Sequence, residues 1–163
     1  MPHTNLYRLN GTSDSSHAGL AKSIKMYENL LNYMEGLEND SINLVFDRTF
    51  FTEEVYCRLG YKEYKFTEEY NKLLDRLSKM DFDIKYITLY LEDTSLFEKR
   101  LNREGKADVK YAKFDVTNSI NQQNTYLQMA EEIKVKYPQI NVINIATDRD
   151  FEEVKKDILD IMS

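Results

Sequence analysis

Short apolar runs alternate along the chain with longer segments in which apolar positions recur every three or four residues. Four runs read as strands: Thr4 to Leu9, Ile42 to Phe46, Ile84 to Leu91 with its β-rich stretch Tyr86-Ile87-Thr88-Leu89-Tyr90, and Ile140 to Ile145. They are too apolar for a sheet with one wet face. Between them, Gly19 to Leu37 puts Leu20, Ile24, Tyr27, Leu30, Leu31 and Met34 on one helical stripe, and Thr67 to Met80 does the same with Tyr70, Leu73, Leu74 and Leu77. Asp93 or Ser95 can cap a helix reaching about Arg103. Asp115 to Tyr137 reads as a long helix carrying Ile120, Leu127, Met129 and Ile133, and Asp150-Phe151-Glu152-Glu153 has the form of a capping box opening a last helix. Strands separated by helices long enough to cross over pair in parallel. The pattern therefore predicts an α/β fold, a doubly wound parallel sheet with helices on both faces, in a single domain over residues 1–163.

Composition narrows the partners. A net charge of -6 argues against a nucleic-acid backbone or an anionic membrane surface, which both reward a basic protein, while a local arginine cluster can still hold a small anion. No apolar run approaches the roughly 20 residues of a membrane span, and Met1-Pro2-His3-Thr4-Asn5 lacks the pattern of a secretion signal, so a cytoplasmic protein is expected. Cys57 is the one cysteine and there are two histidines, which gives neither a disulfide framework nor metal-ligand spacing. Cys57 reads as a small, partly buried hydrophobe.

In doubly wound sheets ligands bind beyond the carboxyl ends of the strands. Those positions here are Asn10 to Ser16, Asp47 to Phe51, Glu92-Asp93 and Thr147 to Arg149. Asp47-Arg48 is the most informative pair. A carboxylate at a strand's end can orient a hydroxyl or hold Mg²⁺ through water, and a neighbouring guanidinium can clamp phosphate, although a charged turn explains the same residues.

Leu44-Val45-Phe46-Asp47-Arg48-Thr49, running into Phe50-Phe51-Thr52-Glu53-Glu54-Val55-Tyr56, resembles the strand-end Asp-Arg motif and following helix of thymidylate-kinase-like and deoxynucleoside kinases. The similarity continues through Leu89-Tyr90-Leu91 and Asp93 to Leu101, the family's fourth strand and the helix before its lid, and through Ile143 to Asp148, its adenine-side loop. The resemblance implies a sheet of the P-loop nucleotide-kinase type, with an acceptor-binding part over about residues 10–66 and a lid over about 103–113. It implies that Asp47, Arg48, Arg100 and Arg103 act on the phosphoryl acceptor and the transferring charge. Lys106, Lys110 and Lys113 then belong to the cationic lid, and ATP and Mg²⁺ are the implied cofactors. A deoxynucleoside or deoxynucleotide is the implied ligand. Ser13 and Ser15, on the loop after the family's second strand, are implied to help position it, while a polar turn capping the next helix explains the same residues.

Arg58 with Tyr56, Tyr61 and Tyr64 is a further candidate for the ligand, with rings able to stack on a base and a guanidinium near phosphate, while ordinary packing explains the tyrosines as well, and Phe51 on the helix after Asp47-Arg48 is a further substrate-binding candidate. The family's G-x-x-x-x-G-K-[ST] phosphate loop has no counterpart here. Gly19-Leu20-Ala21-Lys22-Ser23 has the wrong spacing and lies in a helical pattern. Aligned with the family, the chain lacks the first strand, that loop and the first helix. Phosphoryl transfer is then expected when another chain supplies them, and three arrangements would resolve the open strand edges: a second chain completes the sheet, the strands close up directly, or two copies exchange elements. A module that binds nucleotide or protein without catalysis is the alternative.

Overall fold

A computed structural model of the chain describes residues 3–103 and 116–163. The described residues form four strands and six helices in an α/β arrangement, and the chain divides into two compact units, Met1–Ile84 and Lys85–Ser163. All strand pairing is parallel, in two pairs of two. A single continuous sheet is not among the described pairings.

The first unit runs β1 (His3–Arg8), α1 (His17–Glu35), β2 (Ile42–Asp47), α2 (Phe50–Arg58) and α3 (Thr67–Ser78). β1 pairs with β2 in parallel from His3 opposite Ile42 to Arg8 opposite Asp47. The helix between them lets both strands run the same way, so both carboxyl ends lie at one edge of the pair. The core of this unit is mainly aromatic and sits among the helices: Tyr27 and Leu31 of α1, Phe50 and Val55 of α2, Phe66, and Tyr70 and Leu74 of α3 are all buried. Their rings meet at 6.0 Å for Tyr27 and Phe50 and 6.1 Å for Tyr27 and Phe66, the spacing of edge and tilted contacts.

The buried face of α1 is rotated from the expected stripe. Gly19, Ser23, Tyr27, Leu31 and Met34 are buried, whereas Leu20, Ile24 and Leu30 are half-buried. Small residues at 19 and 23 bring the helix close to its neighbours. A Cβ on Gly19 would collide with the carbonyl oxygen of Asp14, and the Ser23 hydroxyl lies 3.5 Å from the Tyr64 hydroxyl. α3 buries Tyr70, Leu73, Leu74 and Leu77 as its periodicity predicts, and Arg76 ties it to α1 through Glu35 at 2.8 Å.

α2 ends in a Schellman motif. Gly60, at φ 78°, takes the left-handed position that side chains avoid, its N–H donates to Cys57 O at 3.1 Å, and the Tyr61 N–H donates to Tyr56 O at 2.9 Å. The Tyr56 and Tyr61 rings, 5.6 Å apart, make the apolar contact that accompanies this cap.

The second unit runs β3 (Lys85–Tyr90), α4 (Leu96–Arg103), α5 (Val116–Lys136), β4 (Asn141–Ala146) and α6 (Phe151–Met162). β3 and β4 pair in parallel from Lys85 opposite Asn141 to Tyr90 opposite Ala146. Met129, Ala130 and Ile133 of α5 are buried with Leu91, Ile140 and Ile145. Ile120 and Leu127 are half-buried, so the helix inserts mainly its second half. Gln123 completes the end of β3 as a backbone would, accepting from Leu91 N at 2.8 Å and donating to Leu91 O at 2.9 Å. At α4, Asp93 accepts from the Ser95 amide at 3.1 Å, a local turn that prepares the helix start. The capping box at α6 does not form: the helix begins at Phe151, but Asp150 makes no side-chain cap bond. No helix among the described residues is long and apolar enough to cross a membrane.

Replacing Gly19 with alanine should lower unfolding stability by about 2 kcal/mol or more, because the new methyl must displace the Asp14 backbone from α1. Urea denaturation of G19A checks this, and Gly36→Ala is the control, since a Cβ at Gly36 meets nothing closer than 3.4 Å.

Candidate functional site

The loop after β1 is held by its own polar groups. Asp14 accepts from the Ser16 amide at 3.0 Å and from Lys22 at 2.9 Å, and the Asp14 amide donates to the Thr12 hydroxyl at 3.1 Å. The Ser16 hydroxyl bond, then the Lys22 ammonium, holds the Asp14 carboxyl well below the usual range, at about 2. Ser16, the residue before α1, makes no side-chain cap bond, so Asp14 does the work of ordering this helix start. Ser13 and Ser15 point to solvent on the loop.

At the carboxyl end of β2 the chain turns sharply into α2. Arg48 has φ 70°, the sole positive φ of a non-glycine residue among the described residues. A side chain in the left-handed region costs about 1 kcal/mol or more and persists when the surroundings impose it. Thr49 then caps α2, its hydroxyl accepting from Phe51 N at 3.5 Å. Asp47 and Arg48 are both exposed. The register of the strands brings in Arg8, which sequence reasoning passed over: its Nε lies 3.8 Å from the Asp47 carboxylate, with both side chains about 60% exposed at 61% and 63%. A loose, wet ion pair of this kind contributes little to stability. β2 itself is half-buried along Ile42 to Phe46 rather than the fully buried strand its apolar run suggests.

The other candidates on α2 face the protein. Phe51 stacks on Phe50 at 4.4 Å and meets Tyr70 edge-on at 5.9 Å. Arg58 donates to Glu54 at 2.9 Å and lies 6.0 Å from the Tyr70 ring centre, and Tyr56 packs on Tyr61 as described. Packing accounts for all three. Glu53 and Glu54 are the residues the sequence hid: both are buried, at 2% and 0% exposure. Glu54 accepts from Arg58 and, at 2.7 Å, from the Thr67 hydroxyl, while Glu53 accepts from the Tyr64 hydroxyl and lies 3.9 Å from the Lys62 ammonium. Two adjacent glutamates on a short helix ordinarily signal solvent. The available hint was the polar set Lys62, Tyr64 and Thr67 arriving 8 to 14 residues further along the chain.

In the second unit, Arg100 of α4 is exposed and donates to Thr147 O at 3.4 Å, at the carboxyl ends of β3 and β4. Asp148 beside it accepts from the Asp93 amide at 2.8 Å, and that bond first, with the Arg100 charge adding to it, holds its carboxyl below the ordinary range. The side chain of Arg103 and the lid residues Lys106, Lys110 and Lys113 lie outside the described residues.

The described residues hold no group of three or more His, Cys, Asp or Glu able to bind a metal. Mg²⁺ bound together with phosphate needs one or two carboxylates, and the exposed Asp47 fits that requirement. ATP is different. Gly19 to Ser23 belongs to the first turns of α1, with Gly19 and Ser23 buried, so this stretch cannot wrap a phosphate.

Cys57 is buried, and burial first, with the Glu53 and Glu54 charges adding to it, pushes its thiol up to about 12. At pH 8 it is therefore an uncharged thiol, and alkylation by iodoacetamide should be at least about a hundredfold slower in the native protein than in urea, since the thiolate is the nucleophile. Mass spectrometry of timed samples checks this. No family model and no curated protein matches the chain.

Proposed function

We propose that the first unit is the acceptor-binding part of a nucleotide-kinase-like fold, and that it takes a deoxynucleoside or deoxynucleoside monophosphate at the carboxyl edge of β1 and β2. The observation that carries this reading is the left-handed Arg48 beside Asp47. A strained, exposed, charged residue at a strand end has no packing reason to be arginine, whereas an anion-binding turn does. Arg8 adds a second guanidinium and the exposed hydroxyls of Ser13 and Ser15 belong to the loop after the neighbouring strand. Asp47 is the group to orient the acceptor or carry Mg²⁺, and Arg48 the group to hold phosphate.

The strand pairing supports the finer fold reading. In the resembled family the first strand stands between the third and the fourth, so strands corresponding to the second through fifth would pair two and two. The described strands do so, β1 with β2 and β3 with β4. On this reading phosphoryl transfer from ATP needs a phosphate loop that the described residues do not provide.

A protein-binding role without catalysis is favoured by one separate observation. Leu6 on β1 is 73% exposed and Leu89 on β3 54% exposed, unusual for parallel strands, which are normally covered on both faces.

Titration calorimetry with a panel of deoxynucleoside monophosphates separates the two readings. Wild type should bind at least one of them. Arg48→Gly should weaken that binding at least tenfold while leaving the protein as stable as wild type, or up to about 1 kcal/mol more stable, because glycine relieves the left-handed strain. Absence of binding to the whole panel would favour the protein-binding role.

A further inference from the structure

The loop after β1 is fastened from behind by charged groups that take no part in the proposed site. Lys62, whose side chain is 8% exposed, donates to the backbone carbonyl of Thr12 at 2.8 Å. The same ammonium lies 3.9 Å from the Glu53 carboxylate, which in turn accepts from the buried Tyr64 hydroxyl. Gly11 presses on this cluster, since a Cβ there would collide with the second Glu53 oxygen. One residue on from Lys62, the Glu63 amide donates to Ser15 O at 2.8 Å. The loop is thus held at Thr12 and at Ser15, with the intervening Ser13 free to face outward.

Burying an ammonium and a carboxylate is costly, and apolar residues of the same volume often hold a fold as well or better. What a lysine at 62 supplies and an apolar side chain cannot is a directed bond to the Thr12 carbonyl. Tyr64 remains a donor to Glu53 across the working pH range, because burial and then the bond to Glu53 raise its ionisation above that of an ordinary phenol.

We propose that Lys62, set by Glu53 and Tyr64, is a positioning residue that locks residues 11–16 into one conformation, presenting the Ser13 and Ser15 hydroxyls ready for a ligand. The inference goes beyond the nucleotide reading, since it concerns the shape of the loop whatever binds there. An ordered loop binds without the entropy cost of arranging it first.

Amide hydrogen exchange, read at Asp14, Ser16 and Glu63, tests it in wild type, Lys62→Met, Lys62→Arg and Tyr64→Phe. Methionine keeps the apolar stem of lysine and deletes the donor. In Lys62→Met these three amides should exchange at least about tenfold faster, the equivalent of losing one charge-assisted hydrogen bond, while the amides of α3 stay within about twofold. Lys62→Arg should recover most of the protection, and Tyr64→Phe, which keeps the ring, should show an intermediate effect. Unchanged exchange at the three amides in both Lys62→Met and Tyr64→Phe would overturn the proposal. So would a uniform rise that includes α3, or failure of Lys62→Arg to restore protection where Lys62→Met had lost it, because either result marks packing and not a directed bond.

Discussion

Parallel pairing of β1 with β2 is the constraint from which the candidate site follows. Two strands that run the same way must be joined by a crossover, here α1, and must deliver their carboxyl ends to the same edge. Arg8 and Asp47 are register partners because of that geometry, although 38 residues of sequence lie between their positions. The loop after β1 and the turn after β2 leave from the same edge for the same reason. An antiparallel pair would have put Arg8 opposite the amino end of β2 and left Asp47 and Arg48 without a cationic neighbour from β1.

A pair of strands does not stabilise itself in water, and neither pair here does so. The first unit rests on the aromatic contacts of Tyr27, Phe50, Phe66 and Tyr70 among its helices, with β1 and β2 at best half-buried. The second rests on α5 and on the Gln123 side chain that finishes β3. Rigid helices therefore carry the strand ends, and the polar loops at those ends are free to be selected for binding rather than for packing. The left-handed Arg48 is affordable on such a scaffold, since the cap at Thr49 and the buried start of α2 hold the turn in place.

Element order and type were legible because hydrophobic period is a local property. Each observed strand starts and stops within one residue of its apolar run, as with Ile42–Asp47 against Ile42 to Phe46, and the α3 stripe of Tyr70, Leu73, Leu74 and Leu77 is the buried one. Asp47 and Arg48 were likewise legible, being adjacent in sequence at a strand end. What escaped depends on distant partners. Ser23 displaces Leu20 and Ile24 from the centre of the α1 face because Tyr64, 41 residues on, comes to meet its hydroxyl. Glu53 and Glu54 read as solvated until Lys62, Tyr64 and Thr67 fold back on them. Arg8 gained significance through register alone, and nothing in an Asp-Arg-Thr sequence announces a positive φ. Asp150 shows the reverse error: the capping-box pattern was present and the bond was not.

The candidate site stands on the parallel register of β1 and β2, and nuclear Overhauser contacts in isotope-labelled protein measure that register most directly. Cross-strand contacts linking Asn5 with Leu44 and Tyr7 with Phe46, with none between Arg8 and Ile42, are the predicted result. Contacts joining Arg8 to Ile42, or His3 to Asp47, would reverse one strand, separate Arg8 from Asp47 and remove the edge on which the site is built.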